Sequence, residues 1–360
     1  MDAVDAALVD ISDKHISLID YRQFPISGEL VESLKTITGN SCIDLITRLD
    51  VRLGRIFANA VSSLIHDNKL DKKDIGAIGC HGQTVLHRPE PPEPSTLQIG
   101  DPNIIALATG ITTVADFRRM DIAAGGQGAP LTPILHARLF RHPTKNRGIV
   151  NIGGMANITV LPPLDTNHAI YGFDTGPGNV LLDAWSFKHT GKSMDMDGRW
   201  AAGGTPDLKL LEYLLQDDFF HQAPPKSTGR DYFNIQWLQK KMEGTRQICA
   251  PEDIQATLVQ LTAVTIANAF INYAPVTQEV IVCGGGVHNP LILKSLARSL
   301  ADCDVKSTAD LGINPDALEA MAFAWLARCR IEGVAGNLPT VTGASSSVLL
   351  GSIYAPHIQR

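Results

Sequence analysis

The chain has 360 residues, of which 44% are hydrophobic and 19% charged, and its net charge is -6. That length and apolar content suit about two domains with sizeable cores and exclude global disorder. The acidic balance argues against an electrostatic nucleic-acid footprint and against a basic membrane-surface protein.

In chain order, Ala3–Ile11 reads as a short strand and residues 17–24 as its hairpin partner, by partial period-two alternation. Residues 43–66 carry apolar side chains at helical spacing. Residues 75–80 form a short apolar run that feeds His81-Gly82-Gln83-Thr84, and residues 89–94 (PEPPEP) mark a surface turn. A helix is expected over 103–110 and a strand over 112–116. The glycine-rich stretch 124–130 is a candidate boundary, followed by a helix through Leu139. A second strand-rich block follows at Arg147–Ile152, 157–161 and 169–174. Helical patterns then occupy 179–189, 207–217, 234–241 and 252–273. Glu279–Cys283 is a buried strand, with helices over 290–301 and 315–332 after it. Two such blocks imply two α/β domains with a cleft. No run of about 18 apolar residues predicts a membrane-spanning helix. The N-terminus lacks the basic-then-apolar pattern of a signal peptide, so a cytoplasmic protein is expected. The six cysteines form no Cys-x-x-Cys pair and read as thiols in a reducing compartment.

Several chemistries are struck off by motif. Gly191-Lys192-Ser193 resembles the end of a phosphate-binding P-loop, but the earlier glycine that loop needs is Ser186. No GxGxxG, HExxH or GxSxG occurs. Four glycine-rich turns do follow predicted strands: Asn151-Ile152-Gly153-Gly154-Met155-Ala156-Asn157, Asp174-Thr175-Gly176-Pro177-Gly178-Asn179, Cys283-Gly284-Gly285-Gly286-Val287-His288-Asn289 and Thr342-Gly343-Ala344-Ser345. Such turns let backbone N–H groups approach an anion, and they also serve as ordinary turn chemistry. Asp174, at the expected end of a strand, reads as a general base, a Mg²⁺ partner or the cap of a helix starting near Asn179. His81 and Gln83 suit recognition of substrate hydroxyls, or a satisfied turn. Arg118 reads as a carboxylate clamp, or as part of a surface ion cluster with Asp116 and Asp121. Glu319 is a functional acid, or a first-turn acid favoured by its helix dipole.

Together the segments GCHGQTVLHRP, LQIGDPNIIALATGITTVADFRRMDIAAGGQGAPL, VNIGGMANIT, GFDTGPGN, CGGGVHNP, EAMAFAWLA and NLPTVTGA resemble the anhydro-N-acetylmuramic acid kinases of peptidoglycan recycling, from about residue 2 to the C-terminus. The resemblance implies the two-lobed α/β fold of the actin/hexokinase/Hsp70-like superfamily, RNase H-like, with an interlobe cleft. Lobe I would hold 1–122 and 338–360, and lobe II 123–337. It implies that ATP and water convert 1,6-anhydro-N-acetylmuramic acid to N-acetylmuramic acid 6-phosphate, with Mg²⁺ as cofactor, in a cytoplasmic homodimer that binds no nucleic acid or membrane. Asp174 would be the base that activates water. Glu319, Arg118, His81, Gln83 and Asp2 would contact the sugar. Gly153, Gly154, Asn157, Gly176, Gly178, Gly284, Gly285, Gly286 and Asn289 would contact ATP, and the metal ligands are unassigned. The family begins with a strand and Gly-Thr-Ser-x-Asp-Gly. Here Met1 takes the x, Asp2 the Asp and Ala3 the Gly, so the first strand of lobe I is expected to be absent from this sequence. A truncated or inactive sugar-binding relative, lacking that first phosphate loop, is the alternative reading.

Overall fold

The computed structural model describes residues 3–245 and 249–356. In chain order the strands are β1 (Ala3–Ile11), β2 (Ile16–Pro25), β3 (Ile78–Gly79), β4 (Gln83–Arg88), β5 (Ser95–Ile99), β6 (Thr113–Ala115), β7 (Arg147–Ile152), β8 (Met155–Leu161), β9 (Tyr171–Pro177), β10 (Glu279–Cys283), β11 (Asp304–Ser307) and β12 (Ser352–Tyr354). The helices are α1 (Gly28–Lys35), α2 (Ile43–Asp67), α3 (Pro102–Thr109), α4 (Arg119–Ala123), α5 (Pro133–Phe140), α6 (Val180–Thr190), α7 (Leu208–Leu215), α8 (Asp218–His221), α9 (Ile235–Thr245), α10 (Pro251–Tyr273), α11 (Pro290–Ser299), α12 (Leu318–Glu332) and α13 (Pro339–Thr342). The chain divides into two compact α/β units, Met1–Leu135 with Ala317–Arg360, and His136–Asp316. The division falls after the glycine-rich stretch 124–130. It also places residues 317–337, expected in lobe II, with the first unit. The reason is α12, which packs on β1 and β3.

The first unit holds the hairpin β1–β2, the hairpin β4–β5 and a three-stranded sheet in the order β12-β6-β3. α3 shows why local signals are readable there. Asp101 caps its start by accepting from the Asn103 N–H, Pro102 opens it, and Gly110 ends it at φ 71°. Residues 75–80 yield only the two-residue strand β3, because Gly79 lies against α12. A Cβ at Gly79 would stand 2.0 Å from the Phe323 carbonyl oxygen. Hairpin β4–β5 is not legible in the sequence, since PEPPEP interrupts it.

Among the described residues, β1 pairs only with β2, and β3 pairs only with β6. Between β1 and β3 runs a groove of about 950 Å³, lined by all of β1, by residues 75–84 and by side chains that include Leu53, Phe57 and Leu64 of α2 and Phe323 of α12. Unpaired strand edges facing an apolar groove carry backbone groups that a further strand would satisfy.

The second unit is built on one five-stranded sheet in the order β11-β10-β7-β8-β9. β11, β10 and β7 run parallel, and β8 and β9 antiparallel. β10 is buried at every position, as a central parallel strand should be. At its start Glu279, 5% exposed, accepts from Lys145 of the preceding loop and Arg147 of β7, both at 2.6 Å, and pairs with Lys306 of β11 at 3.6 Å. These contacts hold the Glu279 carboxyl down at about 2, against the effect of its burial. They align the three parallel strands, of which β7 and β10 run at their far ends into glycine turns. The strand β11 escapes sequence reading because it is so short. α10 corrects the hydropathy reading: it is long and apolar enough to cross a membrane, but 78% of its apolar window is buried within the protein. A helix apolar on all faces is what the centre of a unit requires, and the Phe270 ring of α10 fills the space where a Cβ on Gly148 would stand.

Fusing an apolar strand of about five to six residues and a glycine turn ahead of residue 1 is expected to raise the Tm by several degrees. The same extension with central prolines should give no gain. Equal melting temperatures for the two fusions would show that the groove takes no strand.

Candidate active site

In the first unit the sequence-predicted residues do converge. Gly79 brings β3 against α12, and the chain then turns at Gly82 (φ 74°) into β4. His81 lies between them with its ring 4.6 Å from that of Phe323. Arg118 donates from Nε to His81 Nε2 at 3.0 Å and from Nη1 to the Gly128 carbonyl at 2.7 Å. His81 therefore accepts at Nε2 as a neutral ring. Burial, reinforced by the Arg118 charge, drives its pKa down to about 3. Asp121 is fully buried rather than part of a surface cluster. Its carboxylate accepts from the Gly128 N–H at 2.7 Å, from Thr342 Oγ1 at 2.7 Å and from Asn337 Nδ2 at 2.8 Å. Asp121 thus fixes the loop whose carbonyl fixes Arg118. Asp116 pairs with Arg119 instead, at 3.5 Å.

Glu319 lies in the first turn of α12 and borders the same groove as His81 and Gln83. Its side chain is solvent-accessible, but protein surrounds it, and this desolvation raises its pKa against the pull of Arg118. The Gln83 amide donates to the neighbouring Thr84 carbonyl at 3.0 Å. Asp2 lies outside the described residues.

In the second unit three glycine turns meet at the ends of β7 and β10. The amides of Gly178, Asn179 and Val180 donate to the carbonyls of Gly154, Gly153 and Gly154, at 2.9, 2.8 and 3.1 Å. A Cβ on Gly178 would stand 2.4 Å from the Gly153 oxygen. Those amides hold the turns together and are not free for phosphate, which corrects the simple helix-opening reading of this turn. Gly176 (φ 143°) lies against the Phe220 ring. Gly284 (φ 79°) and Gly286 approach Asn151 and Ile152 too closely for any side chain, and Gly285 faces Asn179. Asn289 is committed elsewhere: its Oδ1 caps α11 by accepting from the Leu291 N–H at 3.1 Å.

Asp174 is not at a strand end but inside β9, where the ladder skips a residue. Ala156 pairs with Gly176 and Asn157 with Asp174, so Thr175 is the extra residue of a bulge. The Asp174 N–H donates to the Lys226 carbonyl at 3.1 Å, and its Oδ2 accepts from the Thr228 N–H at 2.9 Å. It caps no helix. Desolvation by burial pushes its pKa up to about 6, opposed by the Thr228 amide. Sequence reasoning misses the segment 226–230. Two prolines precede it and it has no periodicity, so its Lys-Ser-Thr-Gly-Arg composition is the only signal. Lys226 donates from Nζ to the Phe219 carbonyl at 3.0 Å, which anchors the segment.

Because the pKa is raised from 3.8 to about 6 on folding, ionisation begins to cost stability above about pH 4 and the full cost is reached above about pH 6. Asp174→Asn is therefore expected to raise the Tm by a few degrees at about pH 8 and by roughly half as much at about pH 5. A gain that is equal at both values would contradict the desolvation.

Comparisons with known proteins bear on the family of the chain. A family profile described as anhydro-N-acetylmuramic acid kinase matches residues 1–356. The anhydro-N-acetylmuramic acid kinase of Photobacterium profundum is 47% identical over 363 residues, covering 98% of this chain and 96% of the relative. That of Coxiella burnetii is 48% identical over 357 residues, covering 98% and 94%. Among solved structures, the ROK hexokinase of Thermus thermophilus aligns at 12% identity and a TM-score of 0.32, over 90% of this chain and 100% of that one. Component A of the Acidaminococcus fermentans (R)-2-hydroxyglutaryl-CoA dehydratase aligns at 11% identity and a TM-score of 0.41, over 89% and 95%. With a family profile spanning nearly all of its length and relatives near half identical throughout, the chain belongs to the anhydro-N-acetylmuramic acid kinase family.

Proposed function

We propose that this protein uses ATP and water to convert 1,6-anhydro-N-acetylmuramic acid to N-acetylmuramic acid 6-phosphate, in cell-wall recycling. The relatives named above favour this over a non-catalytic sugar binder. The observation that carries the mechanism is Asp174, a desolvated carboxylate poised near neutral pH with one oxygen held by an amide. A base tuned into this range is ionised at working pH and still basic enough to take a proton. Asp174 removes a proton from water, and the water oxygen bonds to C1 of the anhydro sugar. The C1–O6 bridge breaks, its electron pair stays on O6, and O6 accepts the γ-phosphoryl group as ADP leaves.

Recognition of the sugar falls to the first unit. Arg118 has two donors tied to His81 and Gly128, which aims the rest of the guanidinium toward the lactyl carboxylate. Neutral His81, Glu319, Gln83 and Asp2 serve the sugar's hydroxyl and amide groups. Gly153 and Gly154 approach the phosphates of ATP, Gly176 and Gly178 give that turn its shape, and Gly284, Gly285 and Gly286 form the adenosine side. Asn289 supports that side by capping α11.

Mg²⁺ takes oxygen ligands and arrives largely satisfied by nucleotide phosphates and water. Among the described residues no group of three or more His, Cys, Asp or Glu side chains is placed to hold a metal ion, so the ion would be carried by the nucleotide and would neutralise charge on the transferring phosphoryl group. Homodimer formation and a cytoplasmic location rest on the family resemblance, and light scattering and cell fractionation read them out.

In ¹⁸O-water the label is expected at C1 of the product. Label absent from C1 would end the bridge-cleavage mechanism in favour of an ordinary sugar kinase. Asp174→Asn is expected to keep sugar binding and to lose about 10²–10⁴-fold in kcat. The kcat/KM of the parent protein should fall tenfold per pH unit below about 6, where the carboxylate of the free enzyme protonates.

A further inference from the structure

Two polar atoms next to Asp174 are buried with no hydrogen-bond partner: the hydroxyl oxygen of Thr228 and the amide oxygen Oδ1 of Asn157. Both are tied to the carboxylate by the fold. Asn157 stands directly across from Asp174 in the β8–β9 ladder, so their side chains leave the same face of the sheet. Thr228 donates its backbone N–H to Asp174 Oδ2 at 2.9 Å, which keeps this residue beside the same carboxylate. Among the described residues, Oδ1 of Asp174 accepts no hydrogen bond. Buried polar atoms left unpaired in this way are rare and mark an ordered water or a ligand.

We infer that the Thr228 hydroxyl and the Asn157 amide oxygen, with the open oxygen of Asp174, form a three-point cradle for one water molecule, the nucleophile of the reaction. The inference rests on the reading of Asp174 as the base that activates water. The hydrogen-bond capacities match one water. Asp174 accepts one of its hydrogens and Asn157 Oδ1 the other, while the Thr228 hydroxyl donates to one lone pair. One lone pair is left over, and it is the one aimed at carbon. When Asp174 takes its proton, the developing hydroxide keeps the Thr228 donor, so the interaction strengthens as charge forms on the oxygen. Thr228 is thus a positioning residue for the nucleophile. Asn157, expected from the sequence to serve ATP, serves water instead.

The test compares Thr228→Val, Thr228→Ser and Asp174→Asn in the full chain with 1,6-anhydro-N-acetylmuramic acid, ATP and Mg²⁺. Valine keeps the backbone amide on Asp174 and removes only the hydroxyl. The expected result for Thr228→Val is a loss of about 100-fold in kcat with KM for sugar and ATP within about twofold and an unchanged or higher Tm. Serine should recover most of the lost turnover. A purely structural threonine would instead move the Tm and leave kcat alone. Wild-type kcat in Thr228→Val beside an inactive Asp174→Asn would overturn the cradle and leave the base in place. An active Asp174→Asn would overturn both. A Thr228→Val defect cured by raised Mg²⁺ would also overturn the cradle, since the orphan atoms would then serve a hydrated cation.

Discussion

A carboxylate kept from water and steadied by a single backbone amide is the constraint on which this molecule turns. Asp174 would lose its charge near neutral pH if burial acted alone. The Thr228 N–H on Oδ2 opposes that, and the balance lies near 6. Everything that sets this balance is tertiary. The β8–β9 bulge turns Asp174 toward Asn157, and Lys226 anchors the segment that carries Thr228 to two carbonyls. Strand pairing, a bulge and a loop with no regular structure therefore combine to tune one acid.

The glycine turns allow close approach, and in the turn at residues 178–180 the backbone amides are spent on holding it to Gly153 and Gly154. At Gly178, Gly284 and Gly286 a side chain would collide with backbone or core atoms within 2.4 Å. Their contribution is to bring the ends of β7, β9 and β10 into close approach. Glu279 performs the complementary task at the opposite ends of β7, β10 and β11, where three cations converge on it. Charge holds one end of the parallel strands in alignment, and the absence of side chains lets the other end close.

The first unit shows a similar economy around Arg118. A guanidinium has many donors and a flexible stem, so it recognises a carboxylate selectively only if it is held. His81 and Gly128 take two of its donors, and Asp121 holds Gly128 through a network that reaches Asn337 and Thr342 from the far end of the sequence. Asp121 is the residue most changed in meaning by the structure. Beside two arginines it reads as a surface ion, yet it is an interior staple.

Local chemistry makes most elements legible. Ala3–Ile11, Glu279–Cys283 and the helix α3 with its Asp-Pro start and glycine stop declare themselves through alternation, apolar runs and caps, because those signals act within a few residues. The residues His81, Arg118, Glu319 and Asp174 stand out in the sequence as candidates, each with a structural alternative that local pattern alone leaves open. What the sequence by itself determined was most of the elements, the family and a set of candidate residues. Only the tertiary structure decided that Asp174 sits inside a strand, that Asn289 caps a helix, that α10 is core and that the Thr228 amide reaches Asp174. Desolvation, strand register and hydrogen-bond partnership depend on residues far apart in the chain, and no local pattern encodes them.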